Sequence, residues 1–190
     1  MTFNEYISNN KVFRIQDLLK SVSSEHSAKK QLKLALKSNK VTRIRQGLYK
    51  SNYGKFSDSN VAPSEIIYTL NNNNVLCYTS ALAEHGVSHN ILNIKPFYSE
   101  QNIKDFSYLG MAYKCMPMPK NVDTQLLNPL DLQIQTTSRE QTIIDCIKKP
   151  QLAGGFENVV RSVTSFSYID TEKLIKLLND ESIATVAKLG

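Results

Sequence analysis

The sequence has few cysteines, no long apolar run and, over its first third, little acidic charge. Cys77, Cys115 and Cys146 are odd in number, widely separated and without a C-x-x-C pair, so neither a disulfide framework nor a zinc knuckle is indicated. No apolar run approaches the roughly 18 residues that a membrane span requires. The start, Met1-Thr2-Phe3-Asn4-Glu5, lacks the charged and apolar regions of a signal peptide. A cytoplasmic protein with no membrane association is expected. Catalytic signatures are missing too. His85 and His89 have i,i+4 spacing, but Gly86 and Ser88 interrupt any helix between them and the glutamate of H-E-x-x-H is absent. Gly154-Gly155 lacks the lysine and glycine spacing of a phosphate loop, and no cysteine has a neighbouring base. No catalytic, metal or cofactor-binding residues are therefore expected, and the chain reads as a non-enzyme. Asp145 reads as a helix carboxylate that caps or pairs, His85 as a helix-terminal residue and Cys146 as core.

Hydrophobic residues at 41% and charged residues at 21% of 190 are ordinary for a folded chain of one or two domains. The charge is unevenly distributed. Residues 1–60 hold 12 Lys or Arg against Glu5, Asp17, Glu25 and Asp58, a net +8, and the other 130 hold 11 basic against 13 acidic residues, a net −2. Such asymmetry points to a nucleic-acid-binding module joined to something that is not one.

Periodicity supplies the elements. A short helix around Tyr6 and Ile7 is followed by a second from Val12 to Val22, with apolar residues at three- and four-residue steps. Ser24 is a suitable N-cap for a third, from about Glu25 to Lys37, because its hydroxyl can accept from an unpaired amide. Ala28, Leu32, Ala35 and Leu36 form the inner face of that helix, with His26, Lys30, Lys33 and Lys37 opposite. Lys40–Arg45 and Gly47–Lys50 read as a basic hairpin turning at Gln46-Gly47. Three helices and such a hairpin outline a winged helix-turn-helix over residues 1–51. Ser51–Asn60 reads as linker, and 52–62 is assigned as such. A second domain, 63–190, opens with a helix through Ile66, Ile67 and Leu70. It continues with the apolar run Val75–Tyr78 and a helix that starts at Thr79 or Ser80 and stops at Gly86. Strands follow at Ile91–Tyr98, Phe106–Met116 and Leu130–Thr136, then helices at Ser138–Lys148, Phe156–Val163, Thr171–Leu178 capped by Asp170, and from Ser182. The fold class expected is α+β, with a helical C-terminal part.

A recognition helix needs one face on its core and the other in the major groove. Lys29, Lys30 and Lys33 would meet phosphates, while Ser24, His26 and Ser27 lie at the helix start, where side chains reach base edges first. Arg43, Arg45, Gln46 and Lys50 would line the wing. The partner expected is double-stranded operator DNA, carrying inverted repeats and binding two copies.

Arg43, Gly47, Leu48 and Tyr49, then Tyr78, Ser80-Ala81-Leu82 and Gly86, then Ser138 through Asp145, Pro150 and Gly154-Gly155 together resemble the AbiEi family of type IV toxin-antitoxin antitoxins. The family's usual Glu-Arg-Thr before two aliphatics and Asp stands here as Glu140, Gln141, Thr142, Ile143, Ile144, Asp145, with Gln141 in place of the arginine. The family also tends to run on beyond the point where this chain ends. The resemblance implies an N-terminal winged helix that represses its own operon, and a mixed α/β antitoxin domain that counters a nucleotidyltransferase-like toxin with which it need not form a stable complex. Two alternatives stand beside it: a winged-helix regulator whose C-terminal domain senses a ligand or partner, and a nuclease or transferase attached to a DNA-binding module.

Overall fold

The computed structural model describes residues 1–90, 92–127 and 132–179. The chain is α+β and divides into two compact units, Met1–Asn71 and Asn72–Gly190.

The first unit opens with α1 (Phe3–Asn9), whose start is fixed by a capping box: Thr2 Oγ1 accepts from the Glu5 amide and Glu5 Oε2 accepts from the Thr2 amide. Hydrogen bonding within this box holds the Glu5 carboxyl below its usual range. β1 (Val12–Arg14) follows and runs directly into α2 (Ile15–Ser21). The single helix expected from Val12 is thus a strand and a helix. Val12 and Phe13 satisfy their backbone by pairing with Lys50 and Tyr49, far along the chain, which local periodicity cannot reveal. α3 (Glu25–Lys37) is capped by Ser24, and β2 (Val41–Arg45) and β3 (Leu48–Ser51) form the hairpin. Gly47 sits at φ +84° in its turn, a conformation glycine adopts at little cost. The three strands make an antiparallel sheet in the order β1-β3-β2.

Its core is aromatic. Phe13 meets Tyr6 edge-on at 5.6 Å and Tyr49 in a stack at 5.8 Å, and Ile7, Leu18, Leu32 and Val41 close around them. The segment expected as linker is tied to this unit. Asn52 Nδ2 donates to Asn39 O and Thr42 Oγ1, Tyr53 packs on the core, and residues Gly54–Phe56 form a 3-10 turn. α4 (Pro63–Leu70) belongs here as well, packed on β1 with Lys11 Nζ 2.9 Å from Glu65 Oε2. The division between units accordingly falls after Asn71, later than the expected boundary at 62/63.

The second unit holds a six-stranded mixed sheet in the order β6-β7-β5-β4-β9-β8. Its strands are β4 (Val75–Leu76), β5 (Ile94–Ser99), β6 (Phe106–Tyr108), β7 (Met111–Pro117), β8 (Thr124–Leu127) and β9 (Ile134–Thr137). β4 runs parallel to β9 and antiparallel to β5, while β5 and β7 are parallel. The single strand expected from Phe106 to Met116 is a hairpin, turning where Leu109 and Gly110 both take positive φ. β8 had no counterpart in the expected elements. The start of the expected strand at Leu130 and the helix from Ser182 lie outside the described residues.

α5 (Tyr78–Glu84) begins directly after Cys77, slightly earlier than the expected Thr79 or Ser80, and Gly86 lies beyond its C-cap at φ +73°. α6 (Arg139–Lys148), α7 (Phe156–Thr164) and α8 (Thr171–Leu178) complete the unit. α6 packs against α5, α7, α8 and β9, so every residue from Glu140 to Ile147 is buried. Its polar members are bonded, as buried polar groups must be. Glu140 Oε1 accepts from the Asp170 amide at 2.9 Å. Thr142 Oγ1 lies 2.7 Å from Thr137 Oγ1 and 2.6 Å from Ser138 O. Gln141 Nε2 donates to Asp145 Oδ1 at 2.9 Å, occupying the place where the resembled family carries an arginine.

Candidate nucleic-acid interface

The first unit, residues 1–71, carries 12 basic against 5 acidic side chains, a net +7. Three residues, Val22–Ser24, join α2 to α3. Ala28, Leu32 and Ala35 of α3 are buried, while His26, Lys30, Lys33 and Lys37 are exposed on the face opposite. Successive helical residues turn by about 100°, which sets those four cationic or ionisable side chains in one stripe. Leu34 stands beside the stripe, 57% exposed, a large apolar side chain that the core does not use.

The helix start is organised by its own hydrogen bonds. Ser24 Oγ accepts from the Ser27 amide at 3.4 Å, and Ser27 Oγ accepts from Gln31 Nε2 at 2.9 Å. Both hydroxyls therefore serve the helix, and His26 is exposed beside them. Lys29 pairs with Glu25 across one turn at 3.3 Å. Lys30, Lys33 and Lys37 have no ion-pair partner among the described residues, and neither has Arg43 on β2.

The hairpin places its residues unevenly. A bulge between Arg43 and Arg45 shifts the register of β2 against β3, so the inward residues are Val41 and Ile44, three apart instead of two. The extra residue turns Ile44 inward, while Arg43 lies before the shift, opposite Tyr49, and is exposed. Arg45 is half-buried, Gln46 is exposed at the turn, and Lys50 is half-buried with Nζ donating to Asn52 Oδ1 at 2.7 Å. Lys50 thus braces the base of the hairpin.

Two further cations of this unit are taken up internally. Lys11 pairs with Glu65, and Arg14 holds Asp17 through two bonds of 2.7 and 3.1 Å. Lys20, Lys37, Lys40 and Lys55 are the other cations of this unit outside the expected DNA-contacting set. Lys37 shares the stripe of α3 and was legible from helical spacing. Lys40, over the Tyr53 ring at 5.3 Å, and Lys55, over Phe56 at 5.1 Å, lie where the sequence reads as turn and linker, and no local signal marks them.

The histidines of the second unit are not brought together. His85 Nε2 lies 2.9 Å from Thr137 O, and burial pushes its pKa down, whereas His89 Nε2 lies 2.7 Å from Ser165 Oγ. Among the described residues no three His, Cys, Asp or Glu side chains gather as a metal site. No described helix is long and apolar enough to cross a membrane.

No family model matches the chain, and no curated protein sequence matches it. A crystal structure of the RV2827C protein from Mycobacterium tuberculosis is similar in fold, with a TM-score of 0.68 over 98% of this chain and 72% of that one, at 11% sequence identity.

Proposed function

We propose that the chain is an AbiEi-type antitoxin that binds operator DNA and represses its own operon, with the second unit countering a nucleotidyltransferase-like toxin. In this reading the first unit is a winged helix, with α3 as recognition helix, the β2–β3 hairpin as wing and β1 as the third strand of the sheet. The observation that carries it is the set of four exposed cations without ion-pair partners among the described residues, Lys30, Lys33, Lys37 and Arg43, on α3 and the adjoining β2. Lysine and arginine in such a set neutralise phosphates and so supply affinity, whereas His26 at the helix start is placed to meet base edges. Arg43 stands at the bulge, able to reach backbone or minor groove as a wing residue does.

A mobility shift with the chain's own upstream DNA and an unrelated duplex tests the first half. A shift of the upstream DNA at lower protein concentration is expected, and equal affinity for both duplexes would remove the repressor role. Co-expression with the product of the adjacent gene tests the second half: toxicity should be relieved, and deleting residues 72–190 should abolish relief. A neighbouring co-transcribed nucleotidyltransferase gene separates this function from a regulator that has no toxin.

A further inference from the structure

A single leucine on a protein surface is ordinary, but the exposed apolar side chains of the first unit are not scattered. Met1 and Leu34 are its large hydrophobic residues open to solvent, and both line the groove between the start of α1 and α3. Two depressions make up this groove, of about 280 and 180 Å³, and Phe3 and Gln31 line both. The smaller one has exposed Leu34 beside buried Phe3 and Ala35. Leu34 is held in place through its backbone: Ser38 donates to Leu34 O from its amide and from Oγ, each at 3.0 Å, which pins the last turn of α3.

Cations surround this apolar spot. Neighbours on a helix surface are three and four residues apart, so Lys30 and Lys37 flank Leu34 along α3. A four-residue step turns about 40° past a full circle, which keeps Leu34 on the outward face that carries the lysine stripe. Lys30 and Lys37 are exposed and without ion-pair partners among the described residues. Lys40 lines the same depression, its ammonium over the Tyr53 ring at 5.3 Å. An occupant that fits must present a small apolar group with anions on either side of it. A second copy docked groove to groove would instead set like charges against one another. Double-stranded DNA meets the requirement, because the thymine C5-methyl projects into the major groove between two rows of phosphates, and apolar side chains read it there.

Resting on the DNA-binding reading of α3, we propose that Leu34 is a specificity-determining residue that packs on a thymine methyl of the operator. The methyl enters the depression beside Phe3 and Ala35, and Lys30 and Lys37 hold the phosphates on either side. The lysines bind any duplex, since phosphate contacts carry no sequence information, and the leucine selects among them. Cytosine in the same place offers an amine that leucine leaves unpaired, so a C·G pair there is disfavoured.

Deoxyuridine differs from thymidine only in lacking this methyl, which makes the test direct. Fluorescence anisotropy compares the upstream duplex with the same duplex carrying deoxyuridine for every thymidine, using the full chain as wild type, Leu34→Ala, Leu34→Met, and Lys30→Ala with Lys33→Ala. Wild type should bind the thymine duplex about fourfold more tightly per chain bound, the worth of burying one methyl group. Leu34→Ala should bring that ratio towards one, and Leu34→Met, which keeps an apolar side chain, should retain most of it. The double lysine variant should bind both duplexes more weakly with the ratio unchanged. Salt-dependent wild-type binding that is indifferent to the methyl overturns this inference and leaves the DNA-binding reading standing, whereas absence of any DNA binding removes both. A Leu34→Ala ratio equal to that of wild type also overturns it. So does a fall in the mass of the free chain on Leu34→Ala, measured by light scattering, which would assign the groove to a second copy.

Discussion

Replacing Lys30 and Lys33 together with alanine removes two of the four cations on which the DNA-binding proposal rests. Both are exposed and neither is ion-paired among the described residues, so the helix retains its buried Ala28, Leu32 and Ala35 contacts and its Ser24 cap. If each of the four cations neutralises one phosphate, log affinity falls with log salt at a slope of about −3.6, and raising salt from about 50 to about 200 mM weakens binding roughly 150-fold. With two cations left the slope is about −1.8 and the same change weakens binding roughly 12-fold. The assay is fluorescence anisotropy of a labelled upstream duplex and a scrambled one across a salt series. The double variant should lose affinity for both duplexes to a similar degree, since phosphate contacts carry no sequence information. A wild-type slope near zero, or a variant slope equal to that of wild type, refutes the assignment of this face to DNA.

Three other outcomes follow from the packing. Thr142→Val, at a fully buried hydroxyl bonded to Thr137 and Ser138, should destabilise the chain by about 1–3 kcal/mol in urea unfolding; an unchanged midpoint would mean the network contributes nothing. Burial holds His85 below its ordinary 6.5, so the unfolded chain takes up the proton first and stability should decline as pH falls below about 6.5; His85→Gln should lack that portion of the decline in urea midpoints compared across pH. Gly47→Ala should cost about 1–2 kcal/mol from its left-handed backbone alone, because the added Cβ would meet only Ile15 Cγ2 at 3.8 Å, and Gly47→Asn should cost less by the same measurement.

α3 was legible to the residue because everything that defines it is local: the Ser24 cap, the apolar spacing from Ala28 to Ala35, and a run without Gly or Pro. α6, α7 and α8 were legible for the same reason, through Ser138, the Gly154-Gly155 turn and Asp170. β1 was not, since Val12 and Phe13 continue a helical apolar pattern and become a strand only through partners at Lys50 and Tyr49. The β6–β7 turn was hidden by Leu109, a residue that seldom takes positive φ. At the candidate interface the cations themselves could be read, but their occupation could not. Lys50 turned toward Asn52, and the bulge that turns Ile44 inward beside the exposed Arg43, depend on strand register. The boundary between units was missed because Lys11 and Glu65, which tie α4 to β1, are 54 residues apart.

The shortest of the described strands sets the order in which the second unit can form. β4 is two residues long, yet β5 pairs with one edge of it and β9 with the other, so the sheet is continuous only through Val75 and Leu76. On the ribosome their β5 partners arrive early, but Gln135 and Thr136 follow roughly 60 residues after them, a wait of about 3–12 s at ordinary synthesis rates. The β4–β5–β7–β6 half is therefore the part that can assemble first, with one edge of β4 open until β9 arrives. Closing that edge joins segments far apart in sequence and belongs to the slow, late phase of folding, when α6, which follows β9 directly, brings its buried polar row into the core.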